Sequence, residues 1–447
     1  MLVQFRVENH RSLRDEQVLS MVAAKTGDKD DARLIRRDEL AEALLPAVAL
    51  YGANASGKSN VLSALGFMRD AVLRSHRLWE PESGTPQEAF ALSSKANEPS
   101  LYEVDIFVGE IRFRYGFVLS AAMVEEEWLY AWPRGRKQTW FTREGDTFDF
   151  GKNLHGENET IRGLTRANSL FLSAAAQNNH AMLLPIFGWF RGAQLELRRG
   201  LGHGMTNAQL ARLGNLLAPR RNSSSTKDNA TRKHEREAVV RLLRAADVGI
   251  VDIRVEGREP VHLEGWSSRS WVPQGTSGTW MLQSSGGKRF DVHLQHKTDD
   301  LKRAWLPLEW ESAGTITLLT IATRLVGVLR EGGLLCIDEL EASLHPMLAL
   351  ELVRLFNDPK HNPRGAQLIF TTHDTNLIGN VLGEQPLRRD QIWFTEKDQS
   401  GATKLYPLTD FHPRKEENLE RGYLQGRYGA IAFLGDLVAD PNGSEGR

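Results

Sequence analysis

The sequence predicts an α/β fold built around a phosphate-binding loop. An apolar run over residues 47–51 leads into Gly52–Ser59, which has the pattern G-x-x-x-x-G-K-S, and then into a segment with helical spacing of its apolar residues. Strand, glycine-bounded loop and helix in this order are typical of a phosphate-binding loop. Two later apolar runs end in Asp338-Glu339 and in Thr371-Thr372-His373. In an open α/β sheet, such strand ends lie at the edge where ligands bind.

Each residue type in the loop suits a phosphate ligand. Glycines let the backbone turn so that successive N–H groups face phosphate oxygens. Lys58 brings a positive charge to the β- and γ-phosphates, Ser59 offers a hydroxyl to Mg²⁺, and the helix N-terminus adds partial positive charge. We therefore expect ATP with Mg²⁺, and the candidate nucleotide-binding residues are Gly52, Asn54, Ala55, Ser56, Gly57, Lys58, Ser59 and Asn60.

The acidic pair supplies the second half of the predicted site. The strand before it is expected to be buried, so the acids emerge at its carboxyl edge, close to the phosphate-binding loop. Asp338 can then hold Mg²⁺ together with Ser59, and Glu339 can take a proton from an attacking water. His373 follows the acidic strand by the length of one helix and is expected to approach the γ-phosphate. Glu339 and His373 are the candidate catalytic residues.

Length and composition limit the class of protein. The chain has 447 residues, and its 56 Lys and Arg against 57 Asp and Glu leave no global charge that points to nucleic acid or membrane. Cys336 is the only cysteine, which rules out an intramolecular disulfide and suits a reducing compartment. Residues 1–6 are typical of a strand rather than a signal peptide. The longest apolar segment, 316–329, is too short to span a bilayer, so we expect a cytoplasmic protein.

The order of elements predicts an antiparallel β layer beside the nucleotide core, and an inserted, mostly helical domain. Strands are predicted over 2–7 and 17–22, and residues 102–108 and 111–119 form a hairpin around Gly109-Glu110. Further strands are expected at 128–132 and 139–142, and a helix over 164–176. The chain then divides into an N-terminal part of the core (1–176), an inserted domain with short strands and a basic loop (177–300), and a C-terminal part (301–447).

A further helix is predicted from Ser312 through Leu329, and it opens with Ser312-Ala313-Gly314. Serine at such a position can simply be a good N-cap. Alternatively, this helix N-terminus meets a γ-phosphate through its free N–H groups and the helix dipole. The sequence leaves both interpretations open.

In the order of these motifs, with a large insertion between the first two, the chain resembles ABC-type ATPases of the SMC, RecF and OLD class. The segments Phe5–Asn9 and Tyr423–Ala430 are similar to those of bacterial AAA ATPases from two-gene antiphage systems, such as RloA/RloB-type and PARIS-type pairs. The resemblance covers residues 1–120 and 301–434. In this resemblance, Gln87 would correspond to the glutamine of the family's Gln loop.

The resemblance implies a P-loop NTPase of ABC-ATPase type in which two heads enclose two ATP molecules. Ser312 and Gly314 of one head would then be signature residues that cap the γ-phosphate bound by Lys58 of the other. Ser343 and His345, the latter within Leu-His-Pro, would belong to the D-loop. The signature reads Ser-Ala-Gly-Thr without the Gly-Gln ending of transporters, which argues against transport.

The favoured hypothesis is a cytoplasmic ATP hydrolase that forms a homodimer or higher homo-oligomer and controls a nuclease-like effector, encoded nearby, in antiphage defence. The alternative is a DNA-repair or chromosome-handling ATPase that binds DNA directly. A non-hydrolysing scaffold is disfavoured by Glu339 beside Asp338. Residues 219–237 discriminate between the first two, because six basic and three acidic residues there give a net charge of +3. Such a run is either a solvated loop or a DNA contact.

Overall fold

The structure, a computed structural model, describes residues 1–25, 31–197, 213–214, 217, 226–246, 249–258, 289–297, 304–379, 385–414 and 417–431. The chain folds as two compact units. The first comprises Met1–Arg198 and Val328–Arg447, and the second comprises Arg199–Gly327. The predicted divisions at 176/177 and 300/301 lie earlier in the chain than the divisions between these units.

A seven-stranded antiparallel sheet forms one layer of the first unit. Its spatial order is β2-β1-β4-β5-β6-β7-β8. The strands are β1 (Leu2–Glu8), β2 (Gln17–Ser20), β4 (Ser100–Val108), β5 (Ile111–Leu119), β6 (Val124–Trp132), β7 (Gln138–Glu144) and β8 (Thr147–Phe150). The predicted antiparallel layer and its hairpin are confirmed, although β2 ends two residues earlier than expected.

A six-stranded sheet forms the second layer of this unit and carries the phosphate-binding loop. Its spatial order is β16-β15-β3-β14-β13-β9, with β15 and β16 antiparallel and the other pairs parallel. The strands are β3 (Ala47–Tyr51), β9 (Gln194–Glu196), β13 (Leu334–Ile337), β14 (Gln367–Thr371), β15 (Ile392–Lys397) and β16 (Thr403–Pro407). All residues of β3, β13 and β14 are buried, which explains why these strands read as continuous apolar runs.

Helices of the first unit flank these sheets. They are α1 (Lys58–Leu78), α2 (Asn158–Leu164), α3 (Phe171–Gln177), α4 (Leu184–Gly192), α7 (Pro346–Asn357) and α8 (Leu419–Leu424). One hydrophobic core joins both sheets with α1, since it contains Phe5 of β1, Val48 of β3, Leu62 of α1 and Cys336 of β13. The parallel strand ends are thereby fixed relative to the start of α1.

The continuous helix predicted over 164–176 is wrong, because the chain forms α2 and α3 with a non-helical stretch between them. The cause is a distant arginine. The guanidinium of Arg143, buried on β7, donates hydrogen bonds to the carbonyl oxygens of Arg166, Ala167 and Ser169. These hydrogen bonds hold residues 166–169 in their non-helical conformation.

The second unit holds a helix and a small sheet within its described residues. The helix is α5 (Thr226–Ala245), and β10 (Ile250–Arg258), β11 (Arg289–His296) and β12 (Ala304–Pro307) form an antiparallel sheet. Of the predicted basic loop, residues 219–225 lie outside the described residues and the remainder is helical. Arg236 of α5 donates hydrogen bonds to Asp252 (2.7 Å) and to the carbonyl of Ile253.

One further helix, α6 (Ala313–Glu331), begins in the second unit and ends in the first. The helix extends beyond the apolar segment 316–329 at both ends. Within the described residues it is the one helix whose length and composition would allow it to cross a membrane. Half of its apolar window is buried in the protein.

Candidate functional site

The phosphate-binding loop has the backbone conformation that its glycines predict. Gly52 and Gly57 have φ angles of 155° and 107°. A Cβ on Gly57 would lie 2.1 Å from Oγ1 of Thr403, and one on Gly52 would lie 2.5 Å from the carbonyl oxygen of Thr395. Both positions therefore require glycine for conformation and for space. Between them, Ala55 also has a positive φ angle (62°), so the backbone of the loop turns at this residue as well.

The N-terminus of α1 is open to an anion. The helix begins at Lys58, its N-cap Gly57 provides no side-chain hydrogen bond, and no acidic residue lies in its first turn. N–H groups at a helix start have no intrahelical partner, and the helix dipole favours negative charge there. Asn54, Ala55 and Ser59 are exposed on this side of the loop. These features fit a bound phosphate chain.

Side chains of the loop also hold it against neighbouring strands. Ser56 Oγ hydrogen-bonds with Thr395 Oγ1 at 2.6 Å, and Thr403 Oγ1 donates to the carbonyl oxygen of Ser56 at 2.9 Å. Asn60 Nδ2 donates to Ser12 Oγ at 2.6 Å, which ties the first turn of α1 to the connection between β1 and β2. The side chains of Ser56 and Asn60, both predicted nucleotide-binding residues, thus brace the loop in this structure.

Lys58 is folded back onto its own loop. Its Nζ donates to the carbonyl oxygens of Gly52 (2.8 Å) and Ala53 (2.9 Å), and the side chain is buried. Burial lowers the pKa of Lys58 to about 8, although the nearby carboxylates of Glu341, Asp338 and Glu339 raise it. The lysine charge is therefore held among acidic groups at the edge of the sheet.

Asp338 and Ser59 meet as predicted. Ser59 Oγ donates to Asp338 Oδ1 at 2.9 Å, and Thr371 Oγ1 donates to the same oxygen at 2.8 Å. Thr371 Oγ1 in turn accepts from the backbone N–H of Glu339 at 2.7 Å. The ends of β13 and β14 and the start of α1 are thereby joined through one carboxylate.

Both predicted catalytic residues, Glu339 and His373, follow the strands that end at this cluster. Glu339 follows β13 in a left-handed conformation (φ 53°), so the chain reverses there into a short 3₁₀ turn, Leu340–Ser343. His373, two residues beyond β14, is exposed, and its backbone N–H donates to Glu341 Oε1 at 2.7 Å. Desolvation and the charge of Lys58 lower the pKa of His373, while Glu341 and Glu339 raise it. The imidazole is therefore favoured in its neutral form.

The predicted signature residues lie at the start of α6. Ser312 is exposed and caps this helix, because its Oγ accepts from the N–H of Thr315 at 3.1 Å. Gly314 is the second residue of the helix. The N-cap interpretation of Ser312 therefore holds in this structure. The role of Ser312 and Gly314 toward a second protomer stays a prediction.

The remaining predicted positions have local roles. His345 is the N-cap of α7, and its Nδ1 accepts from the N–H of Met347 at 3.3 Å. Ser343 closes the 3₁₀ turn before it. The amide of Gln87 donates to the carbonyl oxygen of Glu98 and to Ser100 Oγ, at 2.8 and 2.9 Å, beside the antiparallel layer. The contacts of His345 and Gln87 are local, and none of them involves the loop 52–59.

Sequence reasoning missed four side chains that shape the site. Thr371 joins Asp338 to Glu339, Glu341 joins the 3₁₀ turn to His373, and Thr395 and Thr403 brace the phosphate-binding loop. Thr371 carried a signal, since it opens the Thr-Thr-His motif. Glu341 carried a weaker one as the third acid after β13. Nothing local marks Thr395 or Thr403, because only the sheet order brings β15 and β16 to the loop.

The arrangement fits Mg²⁺ bound together with a nucleoside triphosphate. Among the described residues, no group of three or more His, Cys, Asp or Glu side chains could hold a metal ion by itself. The hydroxyl of Ser59 and the carboxylate of Asp338 are hard oxygen donors, and Mg²⁺ is commonly held by one or two such protein groups together with substrate phosphates and water. A metal here would therefore arrive with its nucleotide.

A phosphate-binding loop on a parallel sheet, faced by an acidic strand end, defines the molecule as a P-loop NTPase of the α/β class. Residues 47–379 match the family described as AAA domain, putative AbiEii toxin, Type IV TA system. This match spans well over half of the chain, and the protein belongs to that family. No curated protein matches the chain.

Solved structures that match the chain include three heads of SMC proteins. One is an Smc head bound to the C-terminal winged-helix domain of ScpA (12% identity, 92% of this chain and 99% of that one, TM-score 0.43). Another is the SMC head domain from Thermotoga maritima (13% identity, 91% and 98%, TM-score 0.37). The third is an Smc head with an extended coiled coil bound to the C-terminal domain of ScpA, derived from Pyrococcus furiosus (10% identity, 96% and 98%, TM-score 0.40).

Proposed function

We propose that this protein is an ATP hydrolase that converts ATP and water to ADP and phosphate. The observation that supports this most is the hydrogen-bonded chain from Ser59 through Asp338 and Thr371 to Glu339. It joins the Asp338 carboxylate, which is suited to a metal, to the backbone of Glu339, the proposed base, beside the phosphate-binding loop. Membership of an AAA family supports the same reaction class.

The side chains divide the work as follows. N–H groups of the loop and of the α1 start hold the phosphates, and Lys58 neutralises charge on the β- and γ-phosphates. Ser59 and Asp338 would hold Mg²⁺, which supplies further charge neutralisation at the phosphate oxygens. The Glu339 carboxylate accepts a proton from the attacking water. The neutral imidazole of His373 stabilises the γ-phosphate and the water through a hydrogen bond.

Nucleotide binding requires a rearrangement of Lys58. Its Nζ now donates to the carbonyl oxygens of Gly52 and Ala53. To reach phosphate oxygens, the ammonium exchanges these two neutral acceptors for charged ones, which give stronger hydrogen bonds. Lys58 is thus expected to act in binding the triphosphate rather than in the proton transfer.

The first prediction tests the hydrolase assignment with Glu339→Gln. An amide cannot accept the proton of water, so turnover should fall by about two to four orders of magnitude while ATP still binds. ATP affinity by calorimetry and phosphate release should be measured on the same preparations. Glu351→Gln, at an exposed glutamate on α7, is the matched control and should keep full turnover. Turnover by Glu339→Gln equal to that of the wild type would refute the assignment.

We further propose that two protomers enclose two ATP molecules and that this closure controls an effector protein encoded nearby, in antiphage defence. The support is the motif order, the exposed start of α6 at Ser312, and a family description that names a toxin of a type IV toxin–antitoxin system. ATP-driven closure would change the surface offered to the effector, and about 1–3 kcal/mol of coupling is enough for a useful switch.

Direct DNA binding remains the second candidate function, because of the net charge of +3 over residues 219–237. One of the six basic residues, Arg236, is committed to Asp252 and Ile253 within its own unit. This reduces the charge available for DNA. It favours the protein partner over DNA without removing the DNA alternative.

The second prediction separates these two functions. A variant with Arg220, Arg221, Arg232 and Lys233 replaced by Ala should keep its ATPase rate and its effector in copurification if the partner is a protein. DNA contact would instead weaken in the variant, and in the wild type it would fall steeply with added salt. The matched control replaces four exposed basic residues elsewhere, namely Arg77, Arg134, Arg136 and Lys152. Loss of salt-sensitive DNA binding in the first variant alone would establish the DNA function instead.

A further inference from the structure

Glu341 has none of the roles assigned above, yet it joins the segment that follows β13 to the segment that follows β14. It lies two residues beyond Glu339, on the 3₁₀ turn Leu340–Ser343. Its Oε1 accepts a hydrogen bond of 2.7 Å from the backbone N–H of His373, 32 residues further along the chain. A carboxylate that accepts from an N–H forms one of the stronger hydrogen bonds in proteins.

The residues on either side of His373 are held to other groups. The N–H of Thr372 donates to the carbonyl oxygen of Leu50 at 3.1 Å, and the N–H of Asp374 donates to Thr372 Oγ1 at 3.0 Å. The hydroxyl of Tyr51 donates to the carbonyl oxygen of Asp374, also at 3.0 Å. The contacts with Leu50 and Tyr51 tie the chain to β3. The bond at His373 ties it to the turn that carries Glu339.

The turn itself is closed by its own backbone. The N–H of Ala342 donates to the carbonyl oxygen of Glu339 at 3.0 Å, so Glu339 and Glu341 belong to one local structure. The N–H of Glu339 donates to Thr371 Oγ1 at 2.7 Å. Two hydrogen bonds therefore cross between this turn and the end of β14, one at residue 371 and one at residue 373. Together they fix both the distance and the orientation of the two segments.

The second carboxylate oxygen of Glu341 indicates why a charged acceptor suits this position better than a neutral one. Oε2 is buried and makes no hydrogen bond, and leaving a buried acceptor without a donor is energetically unfavourable. The nearby charge of Lys58 offsets this cost, since Glu341 and Lys58 interact favourably. A neutral acceptor could form the same bond to His373, but it would lack this attraction.

We propose that Glu341 is a positioning residue that holds the His373 segment at a set distance from Glu339. The proposal deepens the assignment of ATP hydrolysis and rests on it for its kinetic consequences. In this proposal Glu341 acts through His373. Its loss should therefore slow the chemical step while ATP affinity is kept.

The kinetic test compares two substitutions. Glu341→Ala removes the acceptor and should lower kcat by about 10- to 100-fold with KM within about threefold of the wild-type value. Glu341→Gln keeps an acceptor oxygen and should recover kcat to within about threefold of the wild type. In a His373→Ala background, Glu341→Ala should add less than about a twofold loss, because the two residues act as one unit. Equal defects in Glu341→Gln and Glu341→Ala, or additive losses, would overturn the proposal.

A second measurement needs no turnover. Hydrogen exchange at the His373 amide, measured without nucleotide, should speed up by at least about tenfold in Glu341→Ala and stay at the wild-type rate in Glu341→Gln. Glu351→Ala is the control and should leave this amide unchanged. Unchanged exchange in Glu341→Ala would overturn the proposal even with hydrolysis established. If the wild type hydrolysed no ATP, the proposed function would fail, and exchange would still decide the contact.

Discussion

A single threonine hydroxyl determines the relation between the predicted metal ligand and the predicted base. Thr371 is fully buried, donates to Asp338 Oδ1 and accepts from the N–H of Glu339. A hydroxyl can do both at once, because it has one donor and two acceptor lone pairs. The orientation of the Asp338 carboxylate toward Ser59 therefore depends on a third side chain at the end of β14.

The third prediction removes this hydroxyl. Thr371→Val keeps the shape of the side chain but leaves the Glu339 N–H without its acceptor and Asp338 Oδ1 without one donor. We expect turnover to fall by about 10- to 100-fold and unfolding free energy to fall by about 1–3 kcal/mol. Steady-state kinetics and urea unfolding measure these effects. Thr371→Ser should retain most activity, and Thr147→Val, at an exposed position on β8, should change neither quantity. Full turnover by Thr371→Val would contradict this role.

At the scale of elements, the connection between β1 and β2 is built on buried polar residues. Asn9 Nδ2 donates to the carbonyl oxygens of Lys95 and Glu98, both at 2.8 Å, and its Oδ1 accepts from the N–H of Phe90. His10 is fully buried, and its Nδ1 hydrogen-bonds with the hydroxyl of Tyr102 at 2.9 Å. This connection carries Ser12, which braces the phosphate-binding loop.

The fourth prediction concerns the pH dependence of this element. Burial lowers the pKa of His10 to about 4, with Glu88 raising it and Arg11 lowering it. The ordinary value is about 6.5. Between pH about 4 and about 6.5, His10 is therefore protonated in the unfolded chain and neutral in the folded chain. The stability contributed by neutral His10 is therefore present above pH about 6.5 and is lost as pH falls toward 4, by about 3 kcal/mol in full.

Urea unfolding between pH 4.5 and 7.5 tests this sign. His10→Gln, which does not titrate, should flatten the slope of stability against pH relative to the wild type. His155→Gln, at an exposed histidine, should leave that slope unchanged. A slope in His10→Gln as steep as in the wild type would show that other groups cause the acid sensitivity.

Elements whose structure is determined by the local sequence could be predicted, whereas elements whose structure depends on distant contacts could not. The strand 47–51, the loop after it and the start of α1 follow from apolar runs and glycine spacing, and they were placed correctly. The break between α2 and α3 depends on Arg143 from another strand, so no local pattern signals it. In the site, Asp338 and Ser59 meet because parallel strand ends share an edge. The link from Glu341 to His373 is absent from the pattern, because it depends on the conformation of a turn.

At the scale of the whole molecule, hydrogen bonds join the two layers of the first unit at two places. The side chain of Gln367, fully buried on β14, accepts from the N–H of Leu2 at 2.6 Å and donates to the carbonyl oxygen of Leu2 at 2.8 Å. This joins the parallel sheet to the antiparallel layer. Ser12 and Thr403, hydrogen-bonded at 2.7 Å, join them again beside the loop. A change at the nucleotide can therefore reach the antiparallel layer through direct contacts.

The fifth prediction tests whether each active site is shared between two protomers. If Ser312 of one protomer caps ATP held by Lys58 of its partner, then Lys58→Ala and Ser312→Arg proteins are each inactive alone. In a mixed dimer, one site combines an intact Lys58 with an intact Ser312. Random pairing of equal amounts should then restore about a quarter of wild-type turnover, because half of the dimers are mixed and half of their sites are intact.

The control mixture pairs Lys58→Ala with Glu339→Gln. Lys58 and Glu339 of one protomer serve the same ATP, so neither site of this mixed dimer is intact and no turnover should return. Phosphate release is measured across mixing ratios, with a maximum expected at equal amounts for the first pair and none for the second. Recovery in both mixtures would mean that Lys58 and Glu339 serve different ATP molecules, which would overturn this arrangement of the site. Absence of recovery at every ratio in the first mixture, with both variants folded and able to dimerise, would mean that each protomer carries a complete site, and full turnover by Ser312→Arg alone would place Ser312 outside the active site.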